Sequence, residues 1–244
     1  MMNILAIGNS FSEDATRYLH AIAAAGGDEV TVCNLYIGGC SLSRHDQNRQ
    51  SGEAAYEYML NGARIGRMAS LGETLGERTW DVVTLQQASH LSFQYDTYMP
   101  YLSNLAAFVR QNAPTARIMI HQTWAYEEGS ERLFTVAGYE RAADMLRDVV
   151  ACYQRAADEI RADGTIPSGE MFAALLDAGL ARVHRDTYHA SLGAGRLALG
   201  LLWYRTLCGR SVVGNAFDAT DEAVDNPTRA LVERTVESFA PLSF

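Results

Sequence analysis

The chain has 244 residues, 48% of them hydrophobic and 20% charged, values that suit a globular domain and exclude disordered and fibrous classes. Its 20 basic and 29 acidic side chains give a formal charge of −9, which excludes a nucleic-acid partner held by a Lys/Arg stripe. No apolar run reaches the roughly 18 residues of a membrane span, and no basic flank precedes the first apolar residues, so no membrane partner and a cytoplasmic location are expected. The cysteines, Cys33, Cys40, Cys152 and Cys208, share no metal-ligand spacing and read as reduced thiols; neither a metal nor a cofactor is expected.

Taken in chain order, short apolar runs at residues 3–8, 29–37, 81–86, 117–122 and 164–168 predict five strands, several apolar on both faces as helix-covered strands are. Helical stretches are expected at 12–25, 98–112, 139–162, 191–208 and 221–239, the first opened by Ser12 and closed before Gly26-Gly27. Between the second and third strands, Tyr56, Tyr58 and Leu60 alternate up to Asn61-Gly62, a hairpin signal with a short helix as the alternative. The alternation of strand and helix implies a three-layer α/β/α sandwich around a mostly parallel five-stranded sheet, with a β-hairpin excursion. One domain over residues 1–244 is expected.

Open parallel sheets bind ligands beyond the carboxyl ends of their strands. Polar clusters follow four of the strands: Asn9, Ser10 and Ser12; Gly38-Gly39-Cys40-Ser41; Gln86-Gln87-Ala88-Ser89-His90; and Gln122-Thr123-Trp124. A serine hydroxyl needs a neighbouring base to become a nucleophile. His189 follows Asp186 by three residues in "HRDTYHASLGAG", a spacing that lets the carboxylate fix one ring nitrogen and free the other. The pair could equally serve as ordinary helix capping. The Gly-x-Ser-x-Gly elbow of α/β hydrolases is absent.

Four blocks, "ILAIGNSFSEDA", "GGCSL", "VVTLQQASHLS" and "RDTYHASLGAGRLA", resemble the SGNH (GDSL-like) hydrolase superfamily in content and order, most closely a bacterial branch whose first block reads Gly-Asn-Ser-Phe-Ser. The resemblance implies the flavodoxin-like SGNH fold, with Ser10 as nucleophile, His189 as base and Asp186 as its orienter. It also implies an oxyanion hole built from the N–H groups of Ser10 and Gly39. The third block departs from the family's Gly-x-Asn-Asp, and a glutamine amide, Gln87 or else Gln86, is expected to replace the asparagine donor. Ser12 is read as the helix cap, beside Glu13 and Asp14.

Other residues carry weaker readings. Cys40 has no histidine at a telling spacing and is assigned to packing. His90 and His121 follow strands, where they line the pocket or serve structure, and His184 is a competing base two residues before Asp186. Trp124, Tyr126 and Tyr188 are aromatic groups that stack on a sugar or cover the core; Trp124 and Tyr188 are the candidates for substrate contact. The expected activity is serine ester hydrolysis through an acyl-enzyme, with a small acyl group on an acetylated sugar or similar small-molecule alcohol. Acyl transfer by the same residues, and a non-catalytic flavodoxin-like binding domain, are the alternatives.

Overall fold

In the computed structural model, which describes residues 1–241, the chain opens with the strand that becomes the centre of the sheet; residues 242–244 of the expected domain lie outside the described residues. The N-terminal elements are β1 (Met2–Gly8), α1 (Ser10–Thr16), α2 (Leu19–Ala25), β2 (Val30–Tyr36) and α3 (Leu42–Ser51). Then come β3 (Tyr56–Leu60), β4 (Ala63–Ala69), α4 (Leu71–Gly76), β5 (Val82–Leu85) and α5 (Tyr101–Asn112). The remainder comprises β6 (Arg117–His121), α6 (Ala142–Ile160), β7 (Gly164–Ile166), α7 (Ser168–Asp177), α8 (Ala194–Cys208) and α9 (Asn226–Glu237).

The strands form one sheet of seven in the order β4-β3-β2-β1-β5-β6-β7. β1, β2, β5, β6 and β7 are the five parallel strands expected from the apolar runs. The expected hairpin is present and joins this sheet at one edge. β3 pairs antiparallel with β2, so the hairpin widens the sheet from five strands to seven. Its turn residues Asn61 and Gly62 have φ of 50° and 79°, the pair of positive values that a type I′ turn demands. The outer strand β4 is mostly exposed and carries Arg64 and Arg67, whose charges oppose pairing with a further edge.

Burial explains the layers. β1 and β5 are buried on both faces, and helices cover each side: α1, α2, α8 and α9 pack together on one, α3, α4 and α5 on the other. α8 is buried almost all round, from Leu197 and Leu201 to Trp203, as a helix enclosed by neighbours must be.

Several boundaries differ from the expected ones. The first helix begins at Ser10 and breaks into two. Asn9 is its cap, its side-chain oxygen accepting the Phe11 N–H at 3.0 Å, while Ser12 is fully buried with its hydroxyl 2.8 Å from both Asn9 O and Asn34 Oδ1. The break follows Thr16, whose hydroxyl donates back to Ser12 O, a bond that bends helices. α3, α4 and α7 were not among the expected helices, and Ser168, read as a strand end, opens α7. α9 starts at Asn226, where Asp225 caps the Thr228 N–H and Pro227 fits the first turn. Among the described residues no helix is long and apolar enough to cross a membrane.

Candidate active site

Strand order reverses between β1 and β5, and the polar corner after β1 sits at that point. Gly8 allows the corner to close: a Cβ there would lie 2.4 Å from Ser12 Oγ. A hydrogen-bond chain then fixes the turn that holds Ser10. His121, on β6, donates from Nδ1 to Gln86 Oε1 at 2.7 Å, Gln86 Nε2 donates to Asn9 Oδ1 at 2.8 Å, and Asn9 Nδ2 donates to Cys40 O at 3.0 Å. Because an amide oxygen only accepts, His121 must carry its proton on Nδ1, and its Nε2 accepts from Ser168 Oγ at 3.1 Å. Burial pushes this imidazole down to about 3, so the chain is neutral. Ser10 is the first residue of α1, where helix geometry leaves its N–H without an intrahelical acceptor.

The same chain ties this corner to the loop after β2. There the Cys40 N–H closes a turn on Ile37 O, and Gly39 takes φ +61°, a conformation that a side chain would strain. Gly38 and Gly39 line a cleft of about 310 Å³ together with Ser10 and His189.

His189 reaches this cleft from a loop that doubles back on itself, with His184 bridged to Ala190 and the Ser191 N–H bonded to Val183 O. Within it, Asp186 Oδ1 accepts the His189 N–H at 2.9 Å and Oδ2 accepts from His189 Nδ1 at 2.8 Å. Thr187 between them has φ 74°, an uncommon and strained value for a β-branched residue. His189 Nε2 lies 2.8 Å from Ser10 Oγ. Partial burial works to raise the Asp186 carboxyl, but the two hydrogen bonds from His189, together with the nearby charge of Arg185, hold the group below the usual carboxylate range. Since a carboxylate accepts, Nδ1 bears the imidazole proton and Nε2 is the atom open to the Ser10 hydroxyl.

A buried carboxylate fastens this loop to the helix that carries Ser10. Asp14 lies one helical turn beyond Ser10 and is fully buried. It accepts from Arg185 Nη1 at 2.9 Å, from Arg196 Nε at 2.8 Å and from the Ala190 N–H at 3.0 Å. Burial pushes the Asp14 carboxyl up, against the pull of the Arg196 and Arg185 guanidiniums. In the sequence Asp14 is only a charge suited to a helix start; nothing local marks its bonds to residues more than 170 positions away.

Other expected residues take different places. Gln87 is fully buried and its amide nitrogen donates to Thr97 O and Thr97 Oγ1, at 3.0 and 3.1 Å, while its oxygen accepts the Leu42 N–H. Gln86 is spent in the chain to Asn9. Neither amide lines the cleft; the β5 loop presents Ser89 and His90 there instead. Trp124 is buried beneath the site, stacked on Phe11 with ring centroids 4.2 Å apart, and its indole N–H donates to Tyr188 O. Tyr126 is buried with its hydroxyl 3.1 Å from Ser89 Oγ. Of the aromatic candidates, only Tyr188 lines the cleft. Arg132, which no sequence motif marks, lines it too.

His184 points away, its Nε2 bonded to Ala125 O. Cys40 does have a histidine partner, since Sγ lies 3.5 Å from His45 Nδ1. Burial pushes the thiol up to about 12 and the imidazole down to about 3, so the two are uncharged and this is no thiolate pair. A larger cavity of about 780 Å³ lies between α6 and α7, beyond Trp124, and neither Ser10 nor His189 lines it. Among the described residues no three His, Cys, Asp or Glu side chains are grouped to hold a metal ion.

A family model described as a domain of unknown function, DUF4886, matches residues 3–236. A crystal structure of a DUF4886 family protein from Bacteroides uniformis is 31% identical over 97% of this chain and 93% of that one, with a TM-score of 0.88. A protein from Slackia heliotrinireducens described as a candidate SGNH hydrolase is 25% identical, covering 82% of this chain and 96% of its own, at a TM-score of 0.59. The acetylxylan esterase Axe2 from Geobacillus stearothermophilus shares 15% identity over 84% of this chain and 93% of its own, at a TM-score of 0.54, a likeness of fold. No curated protein matches the chain.

Proposed function

The chain belongs to the DUF4886 family and carries an SGNH hydrolase-like fold, and on that premise we propose that it is a serine ester hydrolase acting through an acyl-enzyme. The observation that carries this reading is the hydrogen-bonded series Asp186–His189–Ser10, with both contacts at 2.8 Å. His189 Nε2 takes the Ser10 proton as Oγ attacks the acyl carbonyl, and Asp186 holds the imidazolium that forms. The N–H groups of Ser10 and Gly39 receive the tetrahedral oxyanion at the positive end of α1. His189 then passes its proton to the leaving alcohol, and with a water molecule repeats the sequence to release the acid.

The proposed substrate is a small acyl ester of a carbohydrate or similar alcohol. The fold shared with an acetylxylan esterase supports this, as does a cleft of about 310 Å³, which suits a sugar unit better than a long acyl chain. Acetate release from p-nitrophenyl acetate and from acetylated xylo-oligosaccharides tests the reading. Turnover by the wild type that falls at least about 10⁴-fold in Ser10→Ala is expected; turnover that survives Ser10→Ala would overturn it.

A further inference from the structure

One wall of the cleft carries a cation that the protein does not neutralise. Arg132 is partly buried, its Nε is shielded from solvent without a hydrogen-bond partner, and among the described residues no carboxylate lies within ion-pair distance of it. Other arginines, such as Arg17, Arg49, Arg185 and Arg196, have carboxylate partners at 2.6–2.9 Å. The chain as a whole has a charge of −9, yet none of the described residues lining the cleft is an Asp or Glu.

The guanidinium is held in a defined pose. Its central carbon lies 3.7 Å from the centroid of the Tyr188 ring and 5.2 Å from that of Tyr126. The His189 ring lies 3.8 Å from the same Tyr188 centroid, so one phenol ring touches both the imidazole and the guanidinium. Arg132 and His189 line the same cleft as Ser10, which puts the cation in the cavity that holds the reacting hydroxyl. A guanidinium whose face rests on a ring still offers its N–H edge, the geometry that grips a carboxylate or phosphate through paired hydrogen bonds.

We propose that Arg132 forms an anion-binding subsite that selects acyl esters whose alcohol half carries a carboxylate or a phosphate group. The proposal rests on the esterase reading of Ser10 and His189. It turns the expectation of an acetylated sugar into one of a charged sugar, a uronic acid or a sugar phosphate. An arginine retained only to cover Tyr126 and Tyr188 would need no such ligand, and the two roles differ in what they do to selectivity.

Acetylated glucose, acetylated glucuronic acid and acetylated glucose 6-phosphate separate them. With the wild type, kcat/KM for one or both charged esters is expected to exceed that for acetylated glucose by about tenfold or more. The better of the two identifies the anion. Arg132→Gln should collapse this ratio towards one, and Arg132→Lys, which keeps the charge, should retain part of it. Equal kcat/KM on all three esters, or a ratio unchanged in Arg132→Gln, would overturn the subsite while leaving the esterase standing. Calorimetric titration with unacetylated glucuronate and glucose 6-phosphate supplies the converse: binding that depends on Arg132, without turnover of any ester, would sink the esterase and keep the subsite.

Discussion

At the β1–α1 corner, Ser10 is placed by backbone. It continues the central strand, its helix is capped by Asn9, and the amide chain from His121 through Gln86 locks that cap. At the loop that holds Asp186 and His189, placement depends on side chains. Asp186 is 46% exposed, Thr187 is strained, and the loop is fastened to α1 by the bonds of Arg185 and Ala190 to Asp14. One half of the site is thus an extension of the core, while the other is docked on it. Damage to the docked half should reach activity before it reaches the fold.

The largest expected effect comes from removing the docked imidazole of His189. His189→Ala should lower kcat/KM for p-nitrophenyl acetate by at least about 10⁴-fold, with a urea midpoint close to that of the wild type. A large fall in that midpoint would mean that the loop is part of the core after all. Asp186→Asn comes next: kcat should fall by about 10³-fold, because an amide in place of the carboxylate no longer enforces the Nδ1–H tautomer. Its cost in stability should stay under about 1 kcal/mol, since the group is half in water.

Asp14→Asn probes the fastening. Removing one buried charge leaves Arg185 without its close carboxylate partner and Arg196 with Asp221 alone, so a loss of about 3 kcal/mol in urea unfolding is expected. A fall of about 10²-fold in kcat should accompany it as His189 drifts from Ser10. If that variant does not fold, Arg185→Gln isolates the activity effect, because Arg196 remains to pair Asp14. Full kcat in Arg185→Gln would show that the loop needs no latch.

The smallest effect sharpens the outer end of the same network. Asp221 pairs with Arg17 and Arg196, and the hydrogen bond from Arg17, foremost, holds its carboxyl down to about 2. A folded value below the unfolded one, near 3.9, means that its stabilisation is complete above about pH 4 and is lost as the pH falls towards 2. Allowing for solvent screening, wild type and Asp221→Asn should differ by roughly 1 kcal/mol at about pH 5 and converge near pH 2. A gap that stays constant over that range would assign Asp221 a role other than its charge.

The five parallel strands and the Asn61-Gly62 hairpin were legible because apolar runs and turn chemistry are local signals. The joining of that hairpin to β2 was not, since register between strands is a tertiary property. α3 escaped notice for a physical reason: it is almost wholly polar, and its buried face uses His45, Asp46 and Asn48 in place of an apolar stripe. Ser12 looked like a cap because it precedes acidic residues, but the cap is Asn9, whose side chain also receives Gln86 from across the sheet. Which way an amide points is invisible in sequence, and so Gln86 and Gln87 read as donors to the cleft although both are spent inside the protein. The contact between Ser10 and His189 spans 179 positions, and in the sequence only the resemblance to a known family connects them. Arg132 left no local trace; its standing comes from Tyr188, which the fold carries to it from 56 residues further along the chain.

Reaction with a fluorophosphonate, followed by mass spectrometry of the intact and digested protein, tests the central claim most directly. A single adduct on Ser10, abolished in Ser10→Ala and strongly slowed in His189→Ala, is the expected result. An unmodified protein, or an adduct on a residue other than Ser10, would contradict it.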